Sequence, residues 1–362
     1  MKVVISAGGT GGHIYPALAI INKIKENDPK SEFLYIGTTN RMEKDLIPKL
    51  GIEYEGLEME GIDRKNIFKN IKVFIKYQKA IKKAKQVISK FNPDIVIGAG
   101  GYVTAPVLIA AHKLKCKILI HEQNSVPGVS NKIISKYADR ICVSLPKSVE
   151  FFPKEKVVYT GNPRSEEMFS IPKADKKKFN LNINKKLVII VMGSLGSTTM
   201  TEKIQKIIPK FKDKKYEVLV VSGNKYYDSY KNIELPDNVL IVPFLDNFNS
   251  LLKSTDLIVS RAGASTIAEI TAIGLPSILV PSPYVTNNHQ YKNAKELEDV
   301  GAAKLITEDD FFVESLIKEI DEILSDDKLY NNMKEATLKL GVKDSATKIY
   351  QEIKNIIKDD TK

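Results

Sequence analysis

His13 follows directly on a glycine-rich stretch, Gly8-Gly9-Thr10-Gly11-Gly12. An imidazole titrates at about pH 6.5, so it can take a proton from a hydroxyl at neutral pH. Glycines permit positive φ and let backbone amides approach a ligand closely. A helix starting there adds unpaired N–H groups and the positive end of its dipole, which suit phosphate or a polarised sugar oxygen. A histidine after a glycine turn can equally be a structural hydrogen-bonding group, so the stretch alone leaves both roles open.

The same layout recurs at "GAGGYVTAP" (98–106), "MGSLGSTTM" (192–200) and "SRAGASTIAE" (260–269). Ligands of open α/β sheets bind outside the carboxyl ends of the strands, so all four turns are expected on binding edges. None completes G-x-G-x-x-G: the sixth position is Ile14 counted from Gly9, Val103 from Gly98 and Thr198 from Gly193. The second strand candidate ends in "YIGTTN", without an acid for a ribose hydroxyl, and G-x-x-x-x-G-K-[ST] does not occur. Nicotinamide redox chemistry and P-loop phosphoryl transfer therefore fit poorly. His13, His112, His121 and His289 are scattered and no D-x-D falls at a strand end, so no metal site is expected.

The elements that must position these turns are short apolar runs alternating with helical patterns. Strands are expected at 3–7, 33–36, 94–97, 117–121, 140–143 and 157–159, and again at 187–192, 217–222, 239–242, 257–260 and 277–281. Runs such as "LVIIVM" lack alternation, as strands buried on both faces do. The rhythm predicts parallel sheets with helices on both sides. A Lys-rich segment at 164–186 separates two such series, giving two doubly wound domains in 362 residues. An amphipathic helix closes the chain.

Cys116 and Cys142 are too few for a disulfide framework and suit a reducing compartment. The opening residues lack a signal-peptide pattern, and the most apolar stretch, 95–111, is broken by glycines, Thr104 and Pro106, so no membrane span is expected. The net charge of +11 concentrates at 64–90, with ten basic residues and no acidic one. Read as a helix from Ile67, that segment puts Ile67, Ile71, Phe74, Ile75, Ile81, Ala84 and Ile88 on a packing stripe. Phe68, Val73 and Tyr77 remain beside the lysines. An anionic membrane surface is one partner for such a face and a solvated lysine face is the alternative. Nucleic acid fits poorly, since stacking platforms and recognised binding folds are lacking.

"GGTGGHIYPALAI", "GTTNRMEKDLIP", "GAGGYVTAP", "HEQNSVPGVSNK", "TGNPR", "RAGASTIAEITAIGLP" and "NNHQYKNA" occur in this order. Together they resemble the MurG family, the bacterial glycosyltransferases that complete the disaccharide of the peptidoglycan lipid precursor. The resemblance runs from Met1 to about Ile306. It implies an α/β GT-B fold, two doubly wound Rossmann-like domains facing each other across a cleft. It also implies an acceptor domain at 1–163, a UDP-GlcNAc domain at 164–340 and a closing helix at 341–362 that packs back on the first domain. The implied reaction moves GlcNAc from UDP-GlcNAc to the C4 hydroxyl of MurNAc in lipid I, with inversion, giving lipid II. UDP-GlcNAc is a substrate, so neither a cofactor nor a metal is implied.

The family pattern, carried onto this sequence, gives Glu269 the ribose hydroxyls and Ala264, Ser265 and Thr266 the phosphates. Leu245 reads the uracil edge through its backbone, Gln290 takes sugar hydroxyls with His289 beside it, and Asn124 reaches the GlcNAc. Ser194 contacts the diphosphate; Leu195 stands where many relatives carry Gln, which puts a side-chain contact there in doubt. Arg164 faces phosphate, although some relatives insert a residue before it. Thr10, Gly11 and Gly12 approach the donor, while Gly9, Gly100, Gly101, Tyr102 and Asn131 serve the acceptor. His13 is the candidate general base and Glu122 its rival. Phe68, Lys69, Lys72, Lys76 and Lys79 would associate with the membrane at the cytoplasmic face of the cell membrane, where lipid I resides. Cell-wall synthesis and division proteins are candidate further partners. Rival readings are another UDP-sugar enzyme of the same fold, such as a diacylglycerol glycosyltransferase or a UDP-GlcNAc 2-epimerase, and a non-enzymatic scaffold. Turnover that requires a lipid I analogue separates them.

Overall fold

The computed structural model describes residues 1–60, 67–193 and 197–358, with side chains at 67–72 excepted. Ser194 and Leu195 lie outside the described residues, as do the side chains of Phe68, Lys69 and Lys72. The chain divides into two compact units, Met1–Glu166 with Asp344–Lys362, and Glu167–Lys343.

The first unit holds β1 (Lys2–Ser6), β2 (Glu32–Thr38), β3 (Glu53–Leu57), β4 (Ile95–Gly98), β5 (Ile118–Glu122), β6 (Arg140–Val143) and β7 (Val157–Tyr159). All pair in parallel in the order β3-β2-β1-β4-β5-β6-β7. Successive residues of a strand feed different cores, which is why these runs are apolar throughout. Val4, Leu34, Ile36 and Val96 pack under the helices Ile67–Phe91 and Thr104–Lys113. Val3, Ile5, Phe33 and Ile97 pack instead with Ile14, Ile20 and Ile24 of the helix Gly11–Asn27. The closing helix, Ser345–Lys358, adds Ile349, Ile353 and Ile356 to that second core. Thr347 also donates to Glu166 through its amide and hydroxyl, both at 2.8 Å.

The second unit holds β8 (Leu187–Val191), β9 (Glu217–Val221), β10 (Val239–Val242), β11 (Leu257–Ser260), β12 (Ser277–Leu279) and β13 (Ala303–Leu305), all parallel, ordered β10-β9-β8-β11-β12-β13. Met200, Ile204 and Ile207 of the helix Thr198–Ile207 and Leu316, Ile320 and Ile323 of the helix Val313–Ser325 cover one face.

Strands β3 and β13 are absent from the expected set. Both are edge strands, half solvated, and their sequences "EYEGL" and "AKL" carry no apolar run. The packing stripe of the basic helix also differs from the expected one. Val73, Ala80, Ile81, Ala84 and Ile88 face the core with Tyr77 against them, whereas Phe74 and Ile75 are 62% and 50% exposed. The amino-terminal half carries apolar residues on several faces, so periodicity alone does not choose between them. No described helix is long and apolar enough to cross a membrane.

Candidate active site

In each sheet the strand order reverses once, between β1 and β4 and between β8 and β11. Such reversal points open the crevice where doubly wound sheets bind ligands. The four glycine turns follow just these four strands, so each unit presents a pair of them at its own reversal point.

In the first unit the two turns interlock. Gly8 N donates to Gly100 O at 3.2 Å and Ala99 N to Ser6 O at 2.8 Å. Gly100 and Gly101 have φ of +98° and +92°, which a side chain adopts only under strain. A Cβ on Gly101 would also run into the Gly8 carbonyl. Thr10 is the N-cap of the helix Gly11–Asn27, and its carbonyl receives His13 N and Ile14 N.

His13 stands on the first turn of that helix. Its Nδ1 lies 3.1 Å from Gly8 O and 3.4 Å from Thr10 Oγ1. A carbonyl oxygen can only accept, which places the ring proton on Nδ1 and the lone pair on Nε2. The Cδ2–Nε2 edge of the ring lies against Gly100, where a Cβ would fall 2.6 Å from Cδ2 and 3.1 Å from Nε2. The arrangement presents a proton acceptor at the reversal point.

Glu122, the rival base, is buried and saturated. Its Oε1 accepts Asn124 N at 3.0 Å and Asn124 Nδ2 at 3.2 Å; its Oε2 accepts Gly128 N at 3.0 Å and Asn131 Nδ2 at 2.9 Å. Burial raises its pKa against the pull of these donors. Such a carboxylate shapes the 123–131 loop. Asn131, expected at the acceptor, is itself buried under Glu122 and also donates to His121 O. His121 packs at the end of β5, as a structural histidine does. Its ring nitrogens face Gln123 Nε2 and Ser144 Oγ, and burial lowers its pKa to about 4.

Arg164 belongs to the first unit, as the first residue of the helix Arg164–Ser170. Its amide donates to Asn162 Oδ1 and its guanidinium sits 5.6 Å above the Tyr15 ring. Tyr15 in turn lies against Gly11, so the arginine joins the first glycine turn. Tyr102 lies beside Gly9.

In the second unit the fourth turn leads into the helix Ala264–Ile273, capped by Gly263. Ala264, Ser265 and Thr266 are its first residues, with their amides at the positive end of the dipole. The Ser265 hydroxyl is buried without a hydrogen-bond partner among the described residues. Glu269 is 8% exposed, one turn further along, with Asn249 Nδ2 3.5 Å from its Oε1. Leu245 is half-buried in the loop after β10, next to exposed Phe244. Gln290 accepts from Ser282 N at 2.9 Å, and His289 Nδ1 lies 2.9 Å from Thr286 O, its pKa lowered by burial.

Sequence reasoning missed the groups that brace these turns. Arg261 forms a buried ion pair with Glu308, donates to Val280 O at 3.1 Å and reaches Ser197 Oγ at 3.4 Å, so it ties the third and fourth turns together. Glu43 is fully buried beneath the first turn, where Gly9 N donates to it. An arginine inside "SRAGAST" and a glutamate inside "NRMEKD" read locally as surface charges; burial distinguishes them. Of the lysines expected at the membrane, Lys76 is paired with Glu58 at 2.9 Å and Glu60 at 2.5 Å, while Lys79 is exposed. No group of three or more potential metal ligands occurs among the described residues.

Two Rossmann-like units with glycine turns at their reversal points define the GT-B class of glycosyltransferases, and solved structures agree. MurG of Acinetobacter baumannii superposes with a TM-score of 0.79 at 27% identity, covering 98% of this chain and 99% of that one. Residues 3–143 match the glycosyltransferase family 28 N-terminal domain, and residues 187–349 match the family 28 C-terminal domain. Two curated relatives are named UDP-N-acetylglucosamine–N-acetylmuramyl-(pentapeptide) pyrophosphoryl-undecaprenol N-acetylglucosamine transferase. The one from Bacillus cytotoxicus is 47% identical and the one from Halalkalibacterium halodurans 44%, each over 99% of this chain and 100% of the relative. The chain belongs to this family of glycosyltransferases.

Proposed function

We propose that the chain transfers GlcNAc from UDP-GlcNAc to the C4 hydroxyl of MurNAc in lipid I, forming lipid II with inversion at the anomeric carbon. The observation that carries the reading is the near-full-length identity to transferases of that name, combined with a histidine held at a reversal-point turn by its Nδ1 contact with the Gly8 carbonyl. His13 Nε2 takes the C4 proton as O4 forms its bond to the anomeric carbon and the bond from that carbon to the diphosphate breaks. The second unit holds the donor: Glu269 at the ribose, Leu245 at the uracil, Ala264, Ser265, Thr266 and Ser194 at the phosphates, Gln290 at the sugar. The helix amino terminus meets charge that grows on the leaving UDP. Thr10, Gly11, Gly12, Asn124 and Arg164 are the first unit's share of donor binding, and Gly9, Gly100, Gly101 and Tyr102 serve the acceptor. UDP release from UDP-GlcNAc should require a lipid I analogue; release without it would remove this acceptor.

The same reading brings the enzyme to the cytoplasmic face of the bacterial membrane as a peripheral protein. Phe74 and Ile75, exposed beside Lys79 on the basic helix, support it. Each basic residue near an anionic leaflet contributes about 1 kcal/mol, and apolar side chains add to it. Sedimentation with anionic vesicles should fall when Phe74 and Ile75 become serine. Equal recovery with neutral vesicles would count against docking.

A further inference from the structure

Glu43 is the first residue of the helix Glu43–Lys49 and has no solvent exposure. Among the described residues no lysine or arginine is paired with it; backbone and hydroxyl donors surround it instead. Oε1 accepts Thr38 N at 3.1 Å and Thr38 Oγ1 at 2.7 Å, and Oε2 accepts Gly9 N at 3.3 Å. The glycine turn is laid directly on this carboxylate, since a Cβ on Gly8 would fall 2.6 Å from Oε1. The N–H of Gly9 and the C=O of Gly8 belong to one peptide group. On its other side, that carbonyl accepts from His13 Nδ1 at 3.1 Å.

We infer that Glu43 is a positioning residue that acts on His13 through the Gly8–Gly9 peptide, a carboxylate–peptide–imidazole chain. The carboxylate draws the Gly9 N–H, which polarises the Gly8 carbonyl; the more negative oxygen grips Nδ1–H more firmly. The result is the one a carboxylate achieves on a histidine directly: a fixed tautomer, a fixed ring orientation and a more basic Nε2. No proton moves to Glu43. When Nε2 takes the acceptor proton, the imidazolium charge is met through the peptide. The interposed peptide keeps the carboxylate itself away from the acceptor, where an anion would repel a pyrophosphate.

Other ionisable groups face this chain. His121 of β5 interacts electrostatically with His13, Tyr35 of β2 and Tyr54 of β3 with Glu43, and Asp45 of the same helix with Tyr54. Tyr102 lies across the turn, and Tyr15 with Arg164 flanks Gly11. Burial holds His121 uncharged at neutral pH and both Tyr35 and Tyr54 protonated, so none of the three adds charge there.

The inference rests on the assignment of His13 as base, and the experiment separates the two. In the wild-type protein, nitrogen NMR of His13 should report the Nδ1–H tautomer. In Glu43→Gln one side-chain oxygen is replaced by an amide that cannot accept from Gly9 or Thr38. The His13 titration should then move to lower pH, kcat should fall about tenfold or more, and donor KM should stay within about twofold. In a His13→Asn background Glu43→Gln should cost no further rate. An Nε2–H tautomer, an unmoved His13 titration in folded Glu43→Gln, or an undiminished rate loss in the His13→Asn background would overturn the inference. Should Glu43→Gln fail to fold, an Nε2–H tautomer in the wild-type protein would still overturn the inference. Normal turnover in His13→Asn alone would remove the base assignment, while the titration continues to test the coupling.

Discussion

Replacing Gly100 by alanine places a methyl group against the ring that the site depends on. The new Cβ would stand 2.6 Å from His13 Cδ2 and 3.1 Å from Nε2, where ordinary contact begins at 3.4 Å. The ring would have to retreat by about 0.8 Å, or the turn would have to open. A displacement of about 1 Å at a reacting centre costs on the order of 100-fold in rate. The backbone exacts a separate cost, because φ at Gly100 is +98° and a side chain in that region loses about 1–2 kcal/mol. Gly51 isolates the second effect: its φ is +69° and a Cβ there meets nothing within 4 Å. Gly51→Ala should therefore lose comparable stability, a melting shift of about 2–4 °C per kcal/mol, at unchanged turnover. Gly100→Ala should show a similar melting shift together with a fall in kcat on the order of 100-fold and donor KM within about twofold. The assay is UDP release dependent on a lipid I analogue, run beside thermal melts of both variants. If Gly100→Ala turned over within about twofold of the parent, His13 would not lie where the chemistry happens.

Three further outcomes are expected. Glu269→Gln removes charge-assisted acceptance of ribose hydroxyls, worth about 1.5–3 kcal/mol, so donor KM should rise at least tenfold with kcat within about threefold; steady-state kinetics in UDP-GlcNAc check it. Ile353→Ala hollows the core under the closing helix, where Ile353 has no exposure, and should cost about 2–5 kcal/mol in melting of the first unit while calorimetric UDP affinity of the second stays put. His121 has a folded pKa of about 4 against an ordinary 6.5, so the unfolded chain binds its proton first and stability falls as pH drops through that window. The loss approaches about 3 kcal/mol by pH 4, offset in part by Glu122, whose raised pKa works in the opposite sense. Melting against pH should show a shallower slope in His121→Asn, and an identical slope would show that other groups set it.

Much of the molecule was legible before any coordinates. Unalternating runs such as "LVIIV" mark strands buried on both faces, and the glycine turns after β1, β4, β8 and β11 announce close backbone approach at strand ends. The ordered motifs carried the family. What local spacing does not encode is which strands become neighbours. Gly8 and Gly100 are far apart in the chain, and only the parallel order that sets β4 beside β1 brings their amides together, because that pairing is decided by burial of whole sheets. Burial likewise decided the charges. Glu43 and Arg261 look in sequence like surface charges and Glu122 like a candidate base, and the structure makes all three anchors by burying them and supplying donors or a counter-ion. On the basic helix, apolar side chains on several faces made the pattern degenerate, and only packing against the sheet turned Val73 inward and left Phe74 and Ile75 outside.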